Sequence, residues 1–408
     1  MRVAGLKRAA LSSCVAAAML AGCGGSQPPI GAPGAMPQRT SMTHRLLPAS
    51  SYRPLFRFRG HDGGNPFAGL INVNGRLYGT TYAGGTDGYG TVFSVTTSGK
   101  ENILYNFPGG SDGARPWASL ISVKGTLYGT TTSGGAHGYG TVFRVTTTGA
   151  EKVLYSFAGG LDGATPYAPL INVRGTMYGT TLHGGMNDYG TVFSVTTTGA
   201  ENVLYRFHYG SDGAWPYAGL IALNGILYGT TFTGGSGCGS YFNCGTIFSV
   251  TTTGEENVLH SFANGSDGAN PYAGLLDVNR TLYGTTLGGG ANFDGTLFSI
   301  TTNGDEKVLY SFAGGSDGVY PQGTLISVKR ILYGTTSAGG ATNNGTVFSA
   351  TTTGAEKVLY SFGGGSVGTE PFAGVIDVKG ELYGTTGYGG RRGCAHKAGC
   401  GTVFAFSL

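Results

Sequence analysis

Hydrophobic and polar positions alternate along this chain in short bursts, and the bursts return on a fixed schedule. One unit shows it: Ala118-Ser-Leu-Ile-Ser-Val123, a tight Lys124-Gly125 turn, then Leu127-Tyr-Gly-Thr-Thr131. A glycine-rich stretch leads to Gly140-Thr-Val-Phe-Arg-Val-Thr146, and Gly149-Ala150 turns the chain into Lys152-Val-Leu-Tyr-Ser-Phe157. In each burst aromatic and β-branched residues alternate with small or polar ones, as strand faces require. No stretch beyond the first 22 residues carries helical periodicity. The pattern predicts an all-β protein with four short strands per unit.

The unit occurs seven times, counted by Tyr78, Tyr128, Tyr178, Tyr228, Tyr283, Tyr333 and Tyr383. Successive tyrosines lie 50 residues apart, except for one interval of 55 between Tyr228 and Tyr283. Four strands per repeat and seven repeats predict a seven-bladed β-propeller of four-stranded antiparallel blades. The two ends sharpen this expectation. A solitary fourth-strand equivalent, Pro54-Leu-Phe-Arg-Phe58, precedes the first unit, and the last unit reaches only its third strand, Gly401 to Leu408. The predicted ring is therefore closed 3+1 by an N-terminal outer strand, which covers two otherwise open edges. An open solenoid has no use for that arrangement.

Composition narrows the class. Only 11% of the 408 residues are charged, and 78 are glycine, yet 24 Tyr and 21 Phe recur in register, which excludes a disordered chain. The formal net charge is +4, and removing the first 22 residues, which hold Arg2, Lys7 and Arg8 and no acid, leaves +1. Nucleic acid is not expected as a partner. Arg2, Lys7 and Arg8 followed by the apolar run Ala9 to Ala21 read as a targeting segment, too short for a comfortable membrane span. It ends in Leu20-Ala21-Gly22-Cys23, which resembles a bacterial lipobox. That resemblance implies a signal peptide over 1–22, lipid on Cys23 and a membrane partner through it. An ordinary secretory signal is the competing reading. Gly24 after Cys23 favours an outer-membrane or surface address, and residues 23–51, with five prolines, read as a tether ahead of the propeller at 52–408.

Cys238/Cys244 and Cys394/Cys400 share one spacing in the same loop of the fourth and seventh units. In an exported protein two local disulfides are the leading reading, each ring contributing about 2 kcal/mol in the chain-entropy model. Metal binding competes, but no second pair or His-rich cluster shares either loop.

Leu-Tyr-Gly-Thr-Thr, Gly-Gly, Gly-Thr-Val-Phe and the Ser-Asp-Gly-Ala-x-Pro-Tyr-Ala-Gly-Leu segment resemble the bacterial GloVer tandem-repeat family from Tyr52 to Leu408. The resemblance implies an exported protein with one of several anchoring devices, and brings no assigned activity or catalytic residue. Period and Gly-Gly position also resemble kelch propellers, but the outer strands lack the kelch tryptophan.

Tight connections alternate with long ones, and antiparallel topology puts both long loops of every unit at one end of the ring. Binding residues usually lie on such loops. Their most regular residue is an aspartate (Asp62, Asp112, Asp162, Asp212, Asp267, Asp317), replaced by Val367 in the seventh unit. Asp-Gly predicts a turn with the carboxylate capping backbone amides, whereas calcium would need more oxygens than one carboxylate per loop supplies. Positions that vary are better ligand candidates. Before the loop proline stand Asn65, Arg115, Thr165, Trp215, Asn270, Tyr320 and Glu370, and the Gly-Gly loops carry Tyr89, Tyr139 and Tyr189. Aromatics mixed with amides and carboxylates suit a glycan or protein ligand, with drift on a solvated rim as the alternative. Arg391, Arg392, His396 and Lys397 make the last cysteine loop basic, a solvated loop or an anion site.

No nucleophile elbow, metalloprotease helix or phosphate loop is present. The expected protein is thus a monomeric, lipid-anchored binding module of the bacterial envelope without cofactor or metal. A polysaccharide-active propeller enzyme and a structural envelope protein are the rival classes. The motif tyrosines themselves are expected to pack between blades.

Overall fold

A computed structural model describes residues 51–237, 244–391, 394 and 398–408. Seven four-stranded antiparallel sheets follow one another along the chain. In the second blade the strands are Ile121–Val123, Thr126–Thr131, Thr141–Val145 and Glu151–Ser156. Hydrogen bonding orders them first, second, third, fourth. First strands touch the first strands of both neighbouring blades, and the first of blade one, Ile71–Val73, meets that of blade seven, Ile376–Val378. The ring is closed around them. Among the described residues there are strands and single 3₁₀ turns but no α-helix.

The first strand is half the length that its sequence run suggests. Ala118, Ser119 and Leu120 lie before it because their backbone serves the neighbouring blade: the Thr80 hydroxyl donates to the Ala118 carbonyl at 3.1 Å. The same bond recurs from Thr130 to Ala168 and from Thr385 to Ala68. Neighbouring backbones come close here. A β-carbon on Gly323 would lie 2.5 Å from the Gly374 amide nitrogen of the next blade.

Blades are joined by one repeated set of contacts. Tyr78 is buried with Val92 and Phe107 of its own blade and Leu120, Leu127 and Phe143 of the next. The phenylalanine that ends each outer strand meets the third-strand phenylalanine of the following blade edge to face, as in Phe107–Phe143 at 5.1 Å between ring centres. All seven junctions have this pair, from Phe58–Phe93 to Phe362–Phe404. Such a pair contributes about 0.5–1.5 kcal/mol beyond the area it buries.

The last sheet takes its outer strand from the other end of the chain. Tyr52–Arg57 pairs antiparallel with Thr402–Ser407, from Tyr52 opposite Phe406 to Arg57 opposite Thr402, with a shift of register between Pro54 and Phe56. The Ser407 amide donates to the Ser51 carbonyl at 2.8 Å, and Arg53 holds Glu381 at 3.1 Å. The 3+1 closure is present.

Candidate functional site

The two long loops of each blade lie together and clamp one another. Ala114 bridges Ser133, and the Gly135 amide donates to the Gly110 carbonyl at 2.8 Å. The Gly-Gly pair follows from this approach: a β-carbon on Gly134 would lie 2.7 Å from Gly113 Cα. The residue before the loop proline has φ between 56° and 59° in all seven blades. Its backbone staples blades together. The Trp215 amide donates to the Tyr189 carbonyl of the preceding blade at 2.9 Å, and its carbonyl accepts from Phe232 at 3.1 Å.

The side chains at these variable positions spread around the rim. Asn65 is buried and its amide donates to Gly387 O; that of Asn270 donates to Phe232 O at 2.8 Å. Trp215 Nε1 donates to the Asp188 carbonyl at 3.3 Å, and the Arg115 guanidinium lies over Tyr82 at 5.7 Å. Tyr320 is 44% exposed, and Glu370 is half-buried, with burial pushing its carboxyl upward. Tyr89 and Tyr139 are open to solvent at 42% and 47%, and Tyr189 stacks on Tyr209. No contact gathers these residues into one pocket.

A different set converges. The residue after the loop proline is aromatic in six blades: Phe67, Trp117, Tyr167, Tyr217, Tyr272 and Phe372. Following the ring, Phe372, Phe67, Trp117, Tyr167, Tyr217 and Tyr272 touch in succession with centres 4.4–5.3 Å apart. Tyr272 also reaches across the intervening blade, its hydroxyl donating to that of Tyr167 at 3.3 Å. Burial pushes the Tyr272 phenol up to about 12, and raises those of Tyr167 and Tyr217. The succession breaks at Gln322 of the sixth blade, whose side chain donates to Ser337 Oγ at 2.9 Å. All of these except Phe372, with the small-residue segments behind them, surround a cavity of about 270 Å³ on the ring axis. Its lining contains no carboxylate, histidine, lysine or arginine. It is an apolar site with amide, hydroxyl and phenol groups at its edge.

The loop aspartates point elsewhere, into the junctions between outer strands. Asp112 accepts from the Tyr105 hydroxyl at 2.6 Å; Asp162 accepts from Tyr155 and from the Ala158 amide, each at 2.6 Å. A glutamate of the following blade completes each junction, for Glu101, Glu151, Glu201, Glu256, Glu306 and Glu356 each have a buried Oε1 without a hydrogen-bond partner. Burial first, and then the neighbouring aspartate, push Glu151 up to about 7 and Glu356 to about 8. At the seventh junction Val367 replaces the aspartate and Tyr52 stands where the glutamate would be, stacked on Tyr360 at 4.3 Å and bonded to the Val367 carbonyl. Both carboxylates are lost together.

Cys394 and Cys400 form a disulfide, and Cys244 is also disulfide-bonded. Cys23, the 1–22 segment, most of 23–51, Cys238, Arg392, His396 and Lys397 lie outside the described residues. Among the described residues no group of three or more His, Cys, Asp or Glu is placed to hold a metal ion.

Fold and site define a seven-bladed propeller with an aromatic axial cavity on its long-loop face. The chain belongs to the Gloeobacter/Verrucomicrobia repeat family, whose profile matches residues 37–242 and 237–408. No curated protein matches the chain. Among solved structures it is similar to the computationally designed Ika8 protein, at 15% identity and a TM-score of 0.49 over 87% of this chain and 99% of that one. A putative 6-phosphogluconolactonase from Bacteroides uniformis has 14% identity and a TM-score of 0.47, covering 72% and 84%. The gluconolactonase XC5397 from Xanthomonas campestris has 13% identity and a TM-score of 0.44, covering 78% and 90%.

Proposed function

We propose that this protein is an exported, lipid-anchored propeller of the bacterial envelope. It works as a monomeric binding module that takes a glycan or protein ligand on its long-loop face. The axial aromatic cavity carries this reading. Five rings from five blades line it, and a lining without carboxylate, histidine, lysine or arginine, whose phenols burial holds protonated, suits recognition through apolar faces and a few hydrogen bonds better than proton transfer. The rim residues Arg115, Trp215, Tyr320 and Glu370, with Tyr89, Tyr139 and Tyr189, surround it as secondary contacts. The basic and apolar pattern of residues 1–22, the Leu20-Ala21-Gly22-Cys23 sequence and the Cys394–Cys400 disulfide support the export reading.

A glycan array and an envelope-protein pull-down with the mature chain test it. Trp117→Ala and Tyr217→Ala should each weaken the captured ligand at least tenfold, while Trp215→Ala and Tyr320→Ala on the rim should cost less. Full binding by both axial variants would move the site to the rim. Turnover of a polysaccharide by the unaltered chain would replace binding with catalysis. Mass spectrometry of the mature N-terminus checks lipidation of Cys23.

A further inference from the structure

The opposite end of the ring is made of tight turns, and the turns nearest the axis are basic. Each joins a first strand to a second, so contact between neighbouring first strands gathers all seven around the axis. They carry Lys124, Arg174, Arg280, Lys329, Arg330 and Lys379, all exposed, with no ion pair or side-chain hydrogen bond among the described residues. The fold does not ask for these cations. The turn position has φ near +50° to +57°, where Asn is the favoured non-glycine residue, and Asn74, Asn224 and Asn279 occupy it in three blades. In the fifth and sixth blades Arg280 and Arg330 even stand at the second turn position with φ of 65°, which glycine fills in the other five blades. The acids at these turns do have a structural task. Asp277 accepts from the Arg280 amide at 2.8 Å and Asp377 from Gly380 at 3.0 Å, as the neutral Asn72 does from Gly75. Positive charge is thus the one property of this ring that turn geometry leaves unexplained, and it persists against the acids Asp277 and Asp377 beside it.

Topology says what faces the ring. The outer strand that closes the propeller begins at Tyr52, opposite Phe406 near the end of a third strand, so the preceding chain joins the propeller at the tight-turn end. We propose that the cationic turns are a docking surface for anionic phospholipid, so that the propeller rests on the membrane by this end and presents the aromatic cavity outward. The nearness of a bilayer rests on the reading of Cys23 as the lipid-bearing residue. The surface itself is tested without that lipid.

The test uses the chain from Cys23 onward with Cys23→Ser, which keeps every strand of the closed ring, and vesicles of phosphatidylcholine with or without phosphatidylglycerol. Co-sedimentation should require phosphatidylglycerol and fall with added salt. Lys124→Asn, Arg174→Asn and Lys379→Asn install the residue that the turn prefers, so the variants should melt no lower than the parent. Each should lower partitioning about fivefold, and the triple variant more than fiftyfold. Equal binding by the triple variant, binding that ignores phosphatidylglycerol, or binding to dextran sulfate with none to vesicles would each overturn the assignment. A Cys23 found without lipid by mass spectrometry would leave a positive vesicle result standing and remove only the anchor.

Discussion

A β-carbon on Gly79 would lie 2.7 Å from Phe93 Cζ and 3.0 Å from Leu70 Cδ2, and both neighbours are fully packed. That contact explains one letter of Leu77-Tyr-Gly-Thr-Thr81. The others follow in the same way: Leu77 is core, Tyr78 reaches the next blade, Thr80 bonds its carbonyl, and Thr81 meets Thr91 at 2.9 Å. Gly79→Ala overpacks a filled site and should cost about 1–3 kcal/mol in chemical denaturation, because Phe93 has no free space to rotate into. No loss would mean that the ring moves aside. The motif was legible as scaffold because alternation along a strand records burial directly. The axial aromatics were not. Tyr167 and Tyr217 sit in a segment as regular as the motif, and regularity in one dimension hides convergence in three: rotation about the axis brings seven copies of one position together. The useful signal was the small residues after it, Ala168 and Ala218 among them, which mark backbone that must come close to its neighbours. The residues before the proline vary in side chain but share one backbone role. Their backbone bonds to the preceding blade hold φ at 56° to 59° whatever the side chain is.

At the scale of the strand, the glutamate that opens each outer strand couples one blade to the last. Its partners differ by junction: Tyr105 and Asp112 for Glu151, His260 and Asp267 for Glu306, Tyr310 and Asp317 for Glu356. A carboxyl raised from 4.5 to about 7 binds its proton more tightly folded than unfolded. Folding therefore takes up protons between about pH 4.5 and 7, and stability falls as pH rises through that window, the opposite of a salt-bridged carboxylate. Asp267, held down against burial by bonds from His260 and the backbone amides of Ala263, Asp267 and Gly265, opposes this only at lower pH. The melting temperature should rise on going from pH 8 to pH 5.5. Glu356→Gln should flatten the slope and stabilise at pH 8 by about 1 kcal/mol, a figure reduced for the group's partial exposure to water. A flat profile in the unaltered protein would show that water reaches these carboxylates freely. The strands themselves were plain in the sequence. This coupling was not, because its two acids lie about 40 residues apart and meet only across a junction.

For the molecule as a whole, the question is whether the N-terminal strand is a latch on a finished structure or a member of a ring like any other. Phe58 follows that strand, is fully buried, and meets Phe93 at 5.1 Å; Phe207, midway round, meets Phe248 at the same distance and is equally buried. Truncating either to alanine removes the same contacts, at about 3–5 kcal/mol. In an open stack of repeats only neighbouring units are coupled, so Phe58→Ala would fray the last blade and leave a later main transition unchanged. In a ring no unit is terminal. Releasing the N-terminal strand exposes the third strand Thr402–Ser407 as an edge and removes the partner on which Tyr360 stacks, so the loss spreads to both flanking blades. Phe58→Ala and Phe207→Ala should therefore shift one cooperative denaturation curve by equal amounts, followed by both tyrosine fluorescence and circular dichroism. An early, separate transition in Phe58→Ala alone would show a chain that folds as a stack and is only fastened at its end.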